Sequence, residues 1–399
     1  MAKIELLAPA KDLAKAKIAI LYGADAVYVG GKQFSLRSRS SNFTMEDIAE
    51  LVDFAHQREA KVFVTVNIVF HDEDLYGIKE YLQQLDDMHV DAVIIESLGV
   101  LLLAKKMNLN LECHMSTQLS TLNSVSANLL KNFGADRVVL GRELNIDQIA
   151  DIAKHSNVPL EVFIHGGMCS NYSGRCTLSN RMTLRDANRG GCAQSCRWKY
   201  DIYQNDKLIS DLECPLSMSS KDLRASAYIA SLINCGVASL KIEGRMKSDY
   251  YIAQIVKTYR KMIDEVYEKG EISEERLAYY DQELSKAENR PSDDGFFNGD
   301  PDDSKHLYGV NGAGVTHDYV AYVKSYDPIH KMALVEVKNK FVLNDELEVF
   351  GPQIDNERFV IEAMFDEEWN LVKVANQPTQ LLYLHIPFVV NEHDMIRKA

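Results

Sequence analysis

The sequence contains no apolar run long enough to cross a bilayer. The longest, LGVLLLA, covers residues 98–104, whereas a membrane-spanning helix needs about 20 apolar residues. The amino-terminal stretch MAKIELLAPAKDLAKAK also lacks the basic start and apolar core of a secretion signal. These absences predict a cytoplasmic protein with no membrane partner.

Several widespread catalytic motifs are also missing. The chain has no HExxH pair of a zinc protease, no GxSxG serine elbow, no phosphate-binding P-loop and no GxGxxG after its first predicted strand. Motif matching therefore identifies no familiar protease or dinucleotide-binding machinery. The chemistry has to be sought in other residues.

Cysteine is scarce, with seven residues in 399, yet four of the seven fall within the 28 residues from 169 to 196. These four are Cys169, Cys176, Cys192 and Cys196. In a reducing compartment such clustering indicates a metal, a cluster or a catalytic role rather than disulfides. Thiolates are soft ligands that suit Zn²⁺ or an iron-sulfur cluster. Because six residues separate the first pair, which is wider than a zinc hairpin, iron-sulfur is the preferred prediction and zinc the alternative.

The net charge of −14 is unfavourable for indiscriminate binding to nucleic acid, which depends on a basic surface. The segment from 175 to 199 departs from this balance, because it carries six cations against the single acid Asp186. Its cations are Arg175, Arg181, Arg185, Arg189, Arg197 and Lys199. The sequence therefore predicts either a binding surface for an anionic ligand near the cysteines or a solvated basic loop.

Short β-branched strands alternate with amphipathic helical patterns over most of the chain. Seven such strands can be placed between IELLAPA, residues 4–10, and LEVFIHGG, residues 160–167. An eighth, ASLKIEGR, follows only after an insertion at 166–236 that holds the four cysteines. Eight uniformly apolar parallel strands predict a (β/α)₈ barrel of the TIM type, with an open doubly wound sheet as the alternative.

The predicted barrel domain covers residues 1–290, including the insertion. A stretch rich in Gly, Pro and Asp then predicts a linker at 291–309. Beyond it, short strands such as YVAYVKSYD and KMALVEVKN are separated by turn residues. This pattern predicts a small antiparallel β-barrel or sandwich domain at 310–399.

Polar residues end most of the predicted barrel strands, where (β/α)₈ barrels carry their chemistry. The candidates for catalysis or substrate binding are Asn67, His114, Arg142, His165, Lys241, Glu243 and Arg245. His165 lies beside the cysteine segment and is the candidate for proton transfer, with His114 a weaker one. The charges at 241, 243 and 245 would share one face if the strand continues and would splay if it ends. On the inner face of the barrel, the three residues would provide an ion pair and a group that binds an anion.

The loop after the second strand offers another place for a carboxylate or phosphate. It contains Arg37 and Arg39 within FSLRSRSSNF, and guanidinium groups bind such anions through paired N–H donors. The alternative is that both arginines are exposed loop residues without a binding function.

Four segments carry a family resemblance. EVFIHGGMCSNYSGRCTLS, GGCAQSCRW, SSKDL and SLKIEGRMKSDYY closely resemble the signature of the collagenase-like proteins called peptidase family U32, and the likeness extends over essentially the whole chain. Despite the name, several branches of this family are oxygen-independent hydroxylases that carry a 4Fe-4S cluster. The chain looks most like the branch that hydroxylates the wobble uridine of tRNA at position 5 with prephenate as oxygen donor.

The resemblance implies that Cys169, Cys176, Cys192 and Cys196 bind the cluster. Cluster ligation differs among branches, so Cys214 is an open substitute for Cys196. The resemblance also implies that rim arginines bind the dicarboxylate prephenate, that tRNA is the partner, and that a related family U32 subunit is a candidate partner.

Two other classes of function stay open. The family label implies a peptidase, for which Cys169 with His165 as its base is the only pair that the sequence suggests. If the cysteines held zinc, a scaffold that binds RNA or protein would be the third interpretation.

Overall fold

The computed structural model describes residues 3–36, 42–211, 215–307 and 319–399. Arg37, Arg39 and Cys214 lie outside the described residues. The strands of the barrel and its insertion are β1 (Glu5–Pro9), β2 (Ala26–Gly30), β3 (Lys61–Val66), β4 (Ala92–Ile95), β5 (Glu112–Met115), β6 (Arg137–Val139), β7 (Leu160–Gly166), β8 (Tyr203–Gln204), β9 (Lys207–Leu208), β10 (Asp222–Arg224), β11 (Ser239–Ile242) and β12 (Ser292–Asp293). The helices are α1 (Leu13–Leu21), α2 (Met45–His56), α3 (Ile78–Asp87), α4 (Leu98–Met107), α5 (Ser124–Asn132), α6 (Ile146–His155), α7 (Leu178–Thr183), α8 (Ile229–Asn234), α9 (Asp249–Lys269) and α10 (Glu274–Ser285).

Eight of these strands close into a parallel barrel. Strands β1 to β7 pair in chain order, and β11 pairs in parallel with both β7 and β1. The predicted (β/α)₈ barrel is thereby confirmed. Its strands are buried on both faces because helices cover the outside and side chains such as Phe63 and Ile94 fill the interior.

Helix α2 illustrates how the sequence fixes each unit of the barrel. The Thr44 hydroxyl accepts a hydrogen bond from the Asp47 backbone N–H, and the Asp47 carboxylate accepts one from the Thr44 N–H. This capping box satisfies two donors that the first helical turn would leave unpaired. Ile48 and Leu51 on the next turn are fully buried against the sheet, so the cap also sets which face of the helix packs.

The insertion folds over the carboxyl ends of the strands. After β7 it runs through short helical turns, α7 and the hairpin β8–β9, and it returns through β10, which pairs antiparallel with β7. The predicted linker at 291–309 begins with β12, which pairs with β10. The stretch after the barrel thus contacts the insertion through this strand.

The carboxyl-terminal part is an antiparallel β domain, as the sequence predicts. Its strands are β13 (Tyr319–Asp327), β14 (Met332–Val337), β15 (Phe341–Val342), β16 (Glu346–Phe350), β17 (Glu357–Val360), β18 (Met364–Phe365), β19 (Val374–Ala375), β20 (Leu381–His385) and β21 (Met395–Lys398). Seven of them form one sheet in the order β17-β16-β21-β13-β14-β20-β18. This sheet encloses a hydrophobic core of its own.

Helices α9 and α10 pack the barrel against this domain. Tyr250 of α9 stacks on Tyr319, with ring centroids 5.2 Å apart. Arg397 of β21 is fully buried and bonds Gln254 of α9 and Glu348 of β16. In the described parts of the chain, no helix is both long and apolar enough to pass through a lipid bilayer.

Candidate functional site

A cavity of about 290 Å³ opens at the carboxyl ends of the barrel strands, beneath the insertion. Eight of the residues singled out from the sequence line it: Asn67, Arg142, Cys169, Cys192, Cys196, Lys241, Glu243 and Arg245. Counting those already named, the lining has six cationic side chains and three carboxylates. The cavity therefore combines thiols with an excess of positive charge.

The four clustered cysteines do not all lie in the same place. Cys169, Cys192 and Cys196 line the cavity, whereas the Cys176 sulfur accepts a hydrogen bond from Asn171 Nδ2 at 3.3 Å. Asn188 fixes the Cys176 backbone, because its side chain donates to the Cys176 carbonyl and accepts from the Cys176 N–H. Three cysteines of the insertion thus line the cavity, and we call this part of the lining the cysteine wall. Cys176 lies outside it.

The sulfur atoms of the cysteine wall are suitable ligands for a metal centre, because zinc and iron-sulfur clusters prefer thiols. The thiols are free of disulfides. Desolvation by the surrounding protein raises the pKa of the Cys169 thiol, the nearby Arg142 charge lowers it, and Cys192 and Cys196 raise it again. Among the described residues, no group of three or more His, Cys, Asp or Glu side chains is close enough to hold a single metal ion.

Two arginines are anchored to the chain segment that carries Cys169. Arg142, which follows β6, donates from Nη1 to the carbonyl of Gly167 at 2.6 Å and lies over the Phe163 ring at 3.8 Å. Arg197 of the insertion donates from Nη2 to the carbonyl of Met168 at 3.1 Å. Both line the cavity. Sequence reasoning included Arg197 only as one of the basic residues of the insertion.

Lys241 projects into the barrel between the cavity and a buried ion-pair network. Its Nζ donates to Glu161 Oε1 at 2.6 Å, and Glu161 Oε2 lies 3.2 Å from Arg137 Nη1. Arg137 also bonds Glu5 Oε1 at 2.5 Å. Burial alone would raise the pKa of Glu161, but Lys241 and Arg137 outweigh burial and hold it below its ordinary value. Sequence reasoning missed Glu161, although a lone acid inside the apolar strand LEVFIHG was a signal.

Glu243 and Arg245 follow β11 and lie on the same cavity as Lys241. Glu243 Oε2 accepts a hydrogen bond from Tyr28 Oη at 3.2 Å. Arg245 is buried and donates to Ser35 Oγ at 3.2 Å. A Cβ on Gly30 would lie 2.2 Å from Arg245 Nη2, so the absence of a side chain at Gly30 provides the room that the guanidinium occupies.

Asn67 also lines the cavity. Its Oδ1 accepts from the Leu36 N–H at 3.1 Å, which fixes the chain just before the undescribed residues 37–41. The second predicted anion site, at Arg37 and Arg39, falls within that interval and remains a prediction.

The two predicted histidines are buried and do not line the cavity. His114 lies inside the barrel, where its Nε2 is 2.9 Å from Glu112 Oε2 and burial lowers its pKa. His165 Nδ1 lies 3.2 Å from Tyr259 Oη of α9. Burial, with added effects of Lys247 and Arg224, lowers the pKa of His165 to about 3. Their predicted roles in catalysis and binding stay predictions.

The fold and the site together define a barrel protein whose candidate chemistry lies at the carboxyl ends of the strands, under a cysteine-bearing insertion. Comparison with known proteins narrows this class. The profile called Peptidase family U32 matches residues 11–307, and that of the Peptidase family U32 C-terminal domain matches residues 315–397. The chain belongs to peptidase family U32.

Relatives in this family carry names from different activities. The "tRNA hydroxylation protein P1" of Bacillus subtilis is 42% identical over 405 residues, which cover 100% of this chain and 95% of that protein. A 23S rRNA 5-hydroxycytidine synthase of Escherichia coli is 42% identical over 67% of this chain and 40% of its own length. A "Collagenase" of Porphyromonas gingivalis is 32% identical, over 87% of this chain and 86% of that protein.

Proposed function

We propose that this protein is a tRNA-modifying enzyme that hydroxylates the wobble uridine without molecular oxygen, using prephenate and an iron-sulfur cluster. Similarity over the full chain to a protein named for tRNA hydroxylation supports the RNA substrate. The observation that carries the proposal is the cavity at the barrel mouth, where three cysteines and an excess of cations meet. Thiols are ligands for soft metals and cationic side chains bind anionic small molecules, so this arrangement supports both parts of the proposal.

The net reaction replaces the hydrogen on C5 of uridine with a hydroxyl group, which is a two-electron oxidation of the base. The donor must be reduced to the same extent, so that it gives up a hydroxyl and gains a hydrogen. A bound cluster would supply the electron-transfer chemistry. Cys169, Cys176, Cys192 and Cys196 are the proposed ligands, with Cys214 an alternative to Cys196.

The cavity charges suit a dicarboxylate. Lys241, Arg245 and Arg142 line its walls, and guanidinium and ammonium groups bind carboxylates through charge-assisted hydrogen bonds. Lys241 and Arg245 are themselves buried. We assign to these three the binding and orientation of prephenate next to the base.

The outer surface of the insertion suits RNA. Arg175, Arg181, Arg185 and Lys199 are exposed there, and phosphates bind such cations even on a protein with net negative charge. Trp198 is 41% exposed among them, and an exposed aromatic ring is a stacking surface for an unpaired base. A tRNA partner in the cytoplasm, with or without a related family U32 subunit, is therefore part of the proposal.

The peptidase interpretation receives no support from the site geometry. It needs His165 to serve Cys169 as a base, but His165 is buried away from the cavity and its described ring contacts are with Tyr251 and Tyr259. A pKa of about 3 also leaves it a weak base.

The first test is anaerobic purification, followed by the visible spectrum and analysis of iron, sulfide and zinc. We expect a brown protein with about four irons per chain, as for one four-cysteine cluster. Stoichiometric zinc, or no metal after reconstitution, would contradict the cluster and favour a zinc scaffold.

A matched pair of variants tests the ligands. Cys176→Ser should lose iron and also hydroxylated uridine, measured by mass spectrometry of tRNA nucleosides from cells that depend on the variant. Cys113→Ser should lose neither, since Cys113 is buried in β5 and burial raises its pKa to about 11. Equal behaviour of the two variants would refute the ligand assignment.

A further inference from the structure

We infer that Arg142 and Arg197 form a carboxylate-binding pair beside the cysteine wall, which receives one carboxylate of the small acid in the cavity. The inference rests on the proposed function, because it names the binding site of the oxygen donor. It goes beyond that function in assigning Arg197 to ligand binding and in pairing it with Arg142.

The two guanidinium groups are held by neighbouring points of the same chain segment. Arg142 Nη1 donates to the Gly167 carbonyl and Arg197 Nη2 donates to the Met168 carbonyl. Each bond fixes one nitrogen of a long side chain, so less conformational entropy is lost when a ligand binds to the others. The pair is therefore organised before the ligand arrives.

Each arginine keeps a buried nitrogen without a hydrogen-bond partner. These atoms are Nε of Arg142 and Nη1 of Arg197. A buried donor left unpaired costs about 1 to 3 kcal/mol, and more if it is charged, so such atoms need an explanation. Arg137, deeper in the barrel, shows the contrasting case, because Glu5 and Glu161 occupy its nitrogens.

The acids of the cavity are bonded to other donors. Asp222 lies 3.3 Å from Arg290 and 3.7 Å from Lys247, and the charge of Arg197 acts on it from beyond ion-pair distance. Glu143 accepts bonds from the backbone N–H and the hydroxyl of Ser173. Neither Arg142 nor Arg197 forms an ion pair with these two acids, so both guanidinium charges can act on a ligand anion in the cavity.

A carboxylate fits this position better than an RNA phosphate. Both arginine side chains line a cavity of about 290 Å³, which is the size of a small-molecule site. The phosphate backbone of tRNA would follow the exposed cations on the outside of the insertion. A carboxylate has two oxygens, so it can accept one bond from each arginine.

Prephenate binding to the full-length, cluster-containing protein tests the pair, measured anaerobically by titration calorimetry. We expect Arg142→Gln and Arg197→Gln each to raise the Kd by about tenfold or more, the effect of losing a charged hydrogen bond. Arg197→Lys keeps the charge but loses the planar fork, so its Kd should fall between wild type and Arg197→Gln. Arg185→Gln, an exposed cation outside the cavity, is the control and should stay within about twofold.

Four other results would overturn the pair. Wild-type Kd values in both Gln variants would do so, and would leave the proposed hydroxylation intact. A loss of iron in the variants would assign the nitrogens to the cluster. A loss of tRNA affinity alone, with a reduced salt dependence, would assign them to phosphates. Failure of wild-type protein to bind prephenate would refute both the pair and the proposed donor.

Discussion

The buried charges between the two domains and those at the barrel mouth are arranged differently. At the domain interface every nitrogen of Arg397 has a partner: Nε bonds Glu348 at 2.7 Å, Nη1 bonds Gln254 at 2.7 Å and Nη2 bonds Asn356 at 3.0 Å. At the mouth, Arg142 and Arg197 each retain an unpaired buried nitrogen. The first arrangement is complete within the chain, and the second is not.

The difference separates structural from functional charge. Burying an arginine is costly unless paired acceptors compensate for the lost water, and the interface satisfies that condition internally. The mouth leaves part of the cost uncompensated, which is expected where a ligand supplies the missing acceptors. Buried arginines are therefore predicted to stabilise the fold at the interface and to bind a ligand at the barrel mouth. Substitutions can test this distinction.

The largest effect is expected at the interface. Arg397→Leu removes one of two cations buried between Glu348 and Glu283 and leaves Lys286 to pair with both carboxylates, so we expect a loss of about 3 kcal/mol in the free energy of unfolding. Urea denaturation of the full chain measures this. Iron content per folded chain should not change, because Arg397 does not line the cavity.

Arg358→Ala is the matched control for this prediction. Arg358 lies 3.4 Å from the same Glu348, but its side chain is 58% exposed. Exposed ion pairs contribute about 1 kcal/mol or less, so the variant should be close to wild type. Equal losses in the two variants would show that burial does not decide the value of these pairs.

The next effect is a pH dependence of stability at His165. Its folded pKa of about 3 lies below the unfolded value of about 6.5, so the unfolded chain binds the proton more readily. The stabilising contribution is complete above the unfolded pKa and is lost as pH falls toward 3. From pH 7 to pH 5 this amounts to about 2 kcal/mol, at about 1.4 kcal/mol per pH unit.

His165→Gln should remove that part of the pH dependence. Urea denaturation at pH 7 and pH 5 gives the slope of the free energy of unfolding against pH for each protein. Subtracting the variant's slope from that of the wild type cancels the contribution of other groups. Identical slopes would mean that His165 titrates near its ordinary pKa in the folded protein. A proton-transfer role for this side chain would then be feasible again.

Much of the architecture follows from the sequence, because parallel strands buried on both faces leave uniformly apolar runs. The same logic located the mouth: Asn67, Arg142 and Lys241 end or follow their strands, and the barrel gathers strand ends at one rim. Of the two arrangements considered for Lys241, Glu243 and Arg245, the strand ends at Ile242, and all three residues nevertheless line the cavity.

The position of His165 could not be read from the sequence. Phe163 pairs with Lys241 and His165 with the next residue, Ile242, so β7 carries one extra residue opposite β11. Such a bulge reverses the alternation of side chains. Phe163 therefore lines the cavity whereas His165 contacts Tyr259 of α9. The unpaired nitrogens of Arg142 and Arg197 could not be predicted from the sequence either, because they depend on contacts between distant segments.

The smallest effect is expected for stability at the mouth. Arg197→Gln loses the bond to the Met168 carbonyl, worth about 1 kcal/mol, but it also removes a buried nitrogen that has no partner. These two changes oppose each other, and the Gln amide can still donate to a carbonyl. We expect the free energy of unfolding to change by less than about 1 kcal/mol, measured by urea denaturation beside Arg397→Leu. A loss as large as that of Arg397→Leu would place Arg197 among the structural charges and remove the contrast between the two regions.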